Sequence, residues 1–85
     1  MKKVALVTGG ATRLGKELSL ALADRTYDVV IHYNRSDEEA RQTAARVETK
    51  GSKAYLLQRD LTADVTGLIS QAQELCAGGL HLLIN

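Results

Sequence analysis

Residues Thr8-Gly9-Gly10-Ala11-Thr12-Arg13-Leu14-Gly15 follow directly on the apolar run Val4-Ala5-Leu6-Val7. Beyond them, apolar side chains fall at Leu14, Leu18, Ala21 and Leu22. The run before the glycines has the length and composition of a buried strand, and the spacing of three and four after them marks one face of a helix. A strand therefore enters a helix, spanning about residues 12–25, through a glycine-rich turn. Such a turn lets backbone amides approach a phosphate, and the positive end of the helix dipole favours the anion. A glycine pattern alone is weak evidence; its place between the first strand and the first helix gives it weight.

Working outward, Val29-Val30-Ile31 is β-branched throughout, as a strand buried on both faces should be. Ser36-Asp37-Glu38-Glu39 reads as a capping box, with Ser36 accepting from the backbone of Glu39 and the Glu39 carboxylate reaching back. The helix it opens runs to about Lys50, and Gly51 is its left-handed stop. Glu38, Glu39, Arg41, Arg46 and Glu48 form its solvated face. Ala54-Tyr55-Leu56-Leu57 is a third strand. Residues of about 64–77 make a third helix with Val65, Leu68, Ile69, Ala72, Leu75 and Cys76 inward and Gly78-Gly79 at its end. Leu80 to Ile84 is a fourth strand. The order β-α-β-α-β-α-β predicts an α/β fold: a Rossmann-type, doubly wound parallel sheet with right-handed crossovers. An apolar last strand leaves one edge unpaired and part of one face bare, which suits the amino-terminal part of a larger domain.

Composition narrows the function. Eighty-five residues allow at most one domain. A chain this short buries only about 60% of its unfolded surface. With 45% apolar and 25% charged residues, the chain is not of disordered type. A formal charge of +1 gives no broad footprint for nucleic acid or an anionic membrane, so neither is expected as a partner. The lone Cys76 excludes an internal disulfide framework and a thiolate zinc cage, and reads as buried and inert. Two distant histidines supply no metal site. The apolar run after Met1-Lys2-Lys3 stops short of the roughly 7–15 residues of a secretory signal core. No stretch approaches the ~18 apolar residues of a membrane span. The expected compartment is the cytoplasm.

The second strand bears on cofactor choice. An NAD site usually carries an acid at the carboxyl end of this strand, gripping the ribose 2′-hydroxyl. Asp28 lies at about the right distance from the glycines but precedes the strand. The productive end reads His32-Tyr33-Asn34-Arg35-Ser36. Arg35 offers a guanidinium, Ser36 a hydroxyl and the next helix its positive end, which favours NADP(H). Tyr33 and Asn34 line or shape this loop, His32 reads as a strand residue, and His81 carries no assigned role. Within the first turn, Gly9 is a candidate cofactor-binding residue and Gly10 serves either the turn or a phosphate. Gly15 permits close helix–strand packing. Leu14 reads as a core residue by its spacing. Arg13 begins the helix; its guanidinium can pair with a pyrophosphate, cover the nicotinamide, or lie in solvent.

TGxxxRLG at Thr8–Gly15, HYNRS at His32–Ser36, Asp60-Leu61 after the third strand and Leu82-Leu83-Ile84-Asn85 match one family in order and spacing. The whole chain resembles the amino-terminal part of the short-chain dehydrogenase/reductase superfamily, and more closely its pteridine reductase-like branch. The resemblance implies that Arg13 lies over the cofactor within reach of substrate, with the Leu14 backbone nearby. It implies that Asp60 accepts from the adenine amino group beside the Leu61 backbone, and that Asn85 lies near the adenosine. Thr26 departs from the family, where a glycine usually closes the first helix. The family transfers hydride between nicotinamide and a carbonyl, imine or alcohol carbon, with a tyrosine proton donor in a YxxxK pair. Tyr27, Tyr33 and Tyr55 are followed four residues on by Ile31, Asp37 and Arg59. The expectation is therefore a dinucleotide-binding half-domain over residues 1–85 with no catalytic residue and no turnover by itself. The full-length form would act on a small molecule, a pterin or dihydrofolate or another carbonyl compound, as a homo-oligomer. A non-catalytic dinucleotide sensor and a fragment self-associating through its fourth strand are the alternatives.

Overall fold

A computed structural model describes residues 3–60, 65–76 and 79–84. The elements are β1 (Val4–Val7), α1 (Arg13–Asp24), β2 (Asp28–Tyr33), α2 (Asp37–Thr49), β3 (Ala54–Gln58), α3 (Val65–Leu75) and β4 (Leu80–Ile84). All strand pairings are parallel, in the order β3-β2-β1-β4. The chain steps from β1 to β2 to β3 in one direction, then crosses back to place β4 on the far side of β1. This is the expected Rossmann-type amino-terminal unit.

Successive strand residues point to opposite faces, and the core divides accordingly. Ala5, Val7, Val29 and Ile31 face one way and pack with Leu20, Leu22 and Ala23 of α1 and Ala40, Ala44 and Val47 of α2. Val4, Leu6 and Val30 face the other way, with Leu57 and with Leu68 and Ala72 of α3. Strands buried on both faces must be largely apolar, which is why β1 and the Val29–Ile31 centre of β2 read as unbroken runs.

The helix phases differ from expectation in three places. Leu14 is 71% exposed and Leu75 is 42% exposed, and Ala21 is exposed as well. The buried stripe of α1 is Ser19, Leu20, Leu22 and Ala23. A serine in that stripe shifted the apparent apolar face, and Leu14 lies in the first turn at the rim of the sheet. Cys76 is half-buried, and its thiol donates to the Ala72 carbonyl. The side chain of Val65 lies outside the described residues.

The two long helices end in the same kind of left-handed residue, but only one uses glycine. Gly51 follows α2 at φ +88°. After α1, Thr26 N–H donates to Ala23 O and Tyr27 N–H to Leu22 O, both at 3.0 Å, the paired bonds of a Schellman motif. Its left-handed position is held by Thr26 at φ +68°. A β-branched residue there costs roughly 1–2 kcal/mol, against about 0.5–1 kcal/mol for the added chain entropy of glycine. Thr26→Gly should therefore stabilise the fold by about 1 kcal/mol, raising the melting temperature by roughly 4–8 °C. A melting curve that is unchanged or shifted down would contradict this account of the turn.

His81 acquires a structural role. The β1–β4 register slips between Val4 and Ala5, which pair with Leu80 and Leu82. At the slip, the Val4 N–H donates to His81 Nδ1 at 3.2 Å. The imidazole stands in for a strand carbonyl. Among the described residues, no helix is long and apolar enough to cross a membrane and no cluster of ligating side chains could hold a metal.

Candidate functional site

The parallel strands bring the loops after Val7, Tyr33 and Gln58 to one edge of the sheet. β2 and β4 flank β1 on opposite sides, so the carboxyl end of β1 is the switch point of the sheet, the place where open α/β sheets bind ligands. The glycine turn occupies it.

Gly9 is exposed at φ +63°, a conformation that suits glycine. Gly10 is buried, and a Cβ there would lie 2.9 Å from Val7 O and 3.0 Å from Ser19 Oγ. Gly15 is tighter still: a Cβ would overlap the Gly9 carbonyl oxygen and stand 2.7 Å from its carbon. Gly15 thus lets α1 sit directly on the turn. The Gly9 N–H donates to His32 Nδ1 at 3.0 Å, and the Gly10 N–H to the His32 carbonyl at 2.9 Å. With both glycine amides turned toward β2, Gly10 acts here as a turn residue.

The amides left for an anion come next in the chain. The first bond of α1 runs from Lys16 N–H to Thr12 O, so Arg13, Leu14 and Gly15 have no intrahelical acceptor. Thr12 makes no capping bond with its side chain, and the first turn carries no acid. The positive end of α1 is therefore open beside the glycines. Arg13 opens the helix at φ +53°, in the left-handed region that the usual glycine would occupy freely. A non-glycine residue held there costs on the order of 1–3 kcal/mol, strain that is found most often at functional positions. Its side chain is exposed at the rim, as is that of Leu14.

Asn34 and Arg35 are exposed and Ser36 is half-buried at the carboxyl end of β2. Ser36 is the N-cap residue of α2 by backbone, its carbonyl accepting from Ala40 at 2.8 Å. The expected capping box does not form: the Ser36 hydroxyl makes no capping bond. With ψ at 59° the residue is not in the extended conformation typical of that motif. Asp28 lies at the opposite end of the strand, where its carboxylate accepts from Lys53 N–H at 2.8 Å. Asp37, at the start of α2, is the acid nearest this loop in sequence. Burial, then the Asp37 charge and its hydrogen bond, raise the Tyr33 hydroxyl above the ordinary tyrosine range, with Arg41 opposing. Gln58 Nε2 donates to Asn34 O at 2.9 Å and fastens this loop to β3. Asp60 is exposed just beyond β3. Leu61 and Asn85 lie outside the described residues.

Three supporting residues escape the sequence reading. Ser19 Oγ lies 3.1 Å from Gly10 O and 2.9 Å from Gly15 O, so its one proton serves either carbonyl. The Thr43 hydroxyl donates to Ala11 O at 2.9 Å. His32, 4% exposed, holds both glycine amides. Each is a polar residue on an otherwise apolar buried stripe, and that interruption is the signal that could have found it.

The short chain dehydrogenase family model matches residues 3–85. The chain is 38% identical over 87 residues to a short-chain dehydrogenase/reductase homolog of Bacillus subtilis, covering all of this chain and 79% of that protein. Among solved structures it is similar to FolM alternative dihydrofolate reductase 1 from Brucella canis, complexed with NADP. The identity is 42%, the TM-score 0.84, and the match covers 95% of this chain and 33% of that one. It is also similar to acetoin dehydrogenase from Enterobacter cloacae, at 31% identity and a TM-score of 0.87, covering 100% of this chain and 34% of that one. The chain thus spans about a third of the length of these two enzymes. A glycine turn locked to the first two strands, an open helix end beside it and a match along nearly the whole chain agree: this protein belongs to the short-chain dehydrogenase/reductase family, as its amino-terminal, cofactor-binding part.

Proposed function

We propose that these residues bind NADP(H) for a reductase that delivers hydride to a pterin or dihydrofolate, or to another carbonyl compound. The observation that carries the cofactor choice is the carboxyl end of β2. Arg35 is exposed there and the Ser36 hydroxyl is not used as a cap. The acid that would favour a free ribose hydroxyl is at the wrong end of the strand as Asp28, where it accepts from Lys53 N–H. A guanidinium, a hydroxyl and the start of α2 are the groups this end of the strand offers a 2′-phosphate. In this reading the pyrophosphate sits on the open end of α1, Arg13 covers the nicotinamide side and Asp60 takes the adenine. The resident groups supply binding and orientation, and the nicotinamide supplies the hydride.

The pterin reading rests on TGxxxRLG, HYNRS and the likeness to the Brucella protein. The likeness to acetoin dehydrogenase supports a small carbonyl compound instead. Calorimetric titration with NADPH and NADH in one buffer tests the cofactor assignment. NADPH should bind at least about tenfold tighter, the worth of one charge-assisted hydrogen bond. Equal affinities, or tighter NADH, would overturn it.

A further inference from the structure

We infer that His32 is a positioning residue that sets the glycine turn and the entrance to the adenine loop together, as a neutral imidazole protonated at Nε2. The inference rests on the dinucleotide site proposed above. The ring is buried at the end of β2 with a partner on each nitrogen. On one side is the Gly9 N–H, 3.0 Å from Nδ1. A backbone amide only donates, so Nδ1 must be bare. On the other side is the Arg59 carbonyl, 2.7 Å from Nε2. A carbonyl only accepts, so Nε2 must carry the proton. One tautomer alone satisfies both, and a doubly protonated ring would set N–H against N–H at Gly9.

The backbone of the same residue accepts from Gly10. One side chain and its own carbonyl thus hold two consecutive glycine amides, while the far nitrogen holds the residue just before Asp60. The consequence is geometric. Turning the Gly9 and Gly10 amides toward β2 fixes where the turn enters α1, and hence where the Arg13–Gly15 amides point. Tying the same ring to Arg59 fixes the spacing between that amide cluster and the loop at the end of β3. Gly9 is exposed, so solvent can satisfy its amide if the ring is lost. The ring therefore governs the placement of the turn more than the existence of the fold.

The test uses three single substitutions, nitrogen NMR of the imidazole and hydrogen exchange of the Gly9 amide. His32→Leu fills the space without either bond; it should weaken NADPH binding by about tenfold, as expected for one well-placed hydrogen bond. His32→Asn places a carbonyl oxygen near the position of Nδ1 and should recover most of the affinity. His32→Gln reaches toward Arg59 instead and should recover less. In the unmutated protein at neutral pH, nitrogen NMR should show one bare and one protonated imidazole nitrogen, with the proton on Nε2. NADPH affinity unchanged in His32→Leu, no recovery in His32→Asn, or a proton on Nδ1 would each overturn the assignment. Should the unmutated protein fail to bind NADPH, the cofactor reading falls. The tautomer and the hydrogen-exchange protection of the Gly9 amide, lost in His32→Leu and kept in His32→Asn, still decide whether His32 sets the turn.

Discussion

A Gly15→Ala variant is expected to lose dinucleotide binding and much of its stability. The added methyl would overlap the Gly9 carbonyl oxygen and lie 2.7 Å from Gly9 C and 3.0 Å from Gly10 Cα. All of these are backbone atoms, so no side-chain rotation relieves the overlap. Either α1 or the turn must move, and the turn is held from three directions by His32, Ser19 and Thr43. Overpacking a core typically costs about 1–3 kcal/mol, and a clash between backbones belongs at or above the top of that range. Three kcal/mol would lower the melting temperature of a domain this size by more than about 10 °C. Displacing the Arg13–Gly15 amides should weaken NADPH binding by ~100-fold or more, since each 1.4 kcal/mol is about a factor of ten. The Gly9→Ala variant is the control. A Cβ there meets nothing within 4 Å, and only the left-handed φ is unfavourable. That change should cost about 1 kcal/mol. Gly15→Ala melting and binding like the unmutated protein would show that α1 is not seated on the turn as described.

The second large effect concerns cofactor choice. Arg35→Asp should lower the ratio of NADPH to NADH affinity by about 100-fold, through loss of one charge-assisted contact worth about 1.5–3 kcal/mol and the addition of like-charge repulsion. NADH binding should hold or improve, because a carboxylate at this end of β2 is the group that grips a ribose 2′-hydroxyl. The fold should be indifferent, since Arg35 is exposed and belongs to a loop. Titrating both cofactors into both proteins measures the ratio, and an unchanged ratio would remove Arg35 from the site.

The layout of the sheet was legible because it depends on local pattern. Val4–Val7 and Val29–Ile31 are apolar at every position because both faces are covered, and glycines mark the stops after β1 and α2. The place of Asp28 at the amino end of β2 was legible too, since it precedes Val29-Val30-Ile31. What sequence could not deliver depends on partners distant along the chain. The bond from Gly9 to His32 spans 23 residues, that from Thr43 to Ala11 spans 32, and that from Val4 to His81 spans 77. Nothing local distinguishes these side chains from ordinary polar interruptions. Leu14 and Ala21 were misplaced for a related reason. A single buried serine displaced the apparent stripe of α1, and burial follows the neighbour across the interface rather than the hydrophobicity of the residue. The capping box at Ser36 failed because a motif permits a conformation without requiring it.

The most direct test of the account is to map amide chemical shifts of the protein as NADP⁺ is added. The predicted shifts fall on Thr8–Gly15, on Tyr33–Ser36 and on Arg59–Asp60, with the largest at the Arg13, Leu14 and Gly15 amides that precede the first bond of α1. Asp28 and Gly51, at the opposite edge of the sheet, should stay still. Shifts confined to another surface, such as the exposed face of α2 at Glu38, Arg41, Gln42 and Ala45, would contradict the assignment of the carboxyl edge as the cofactor site.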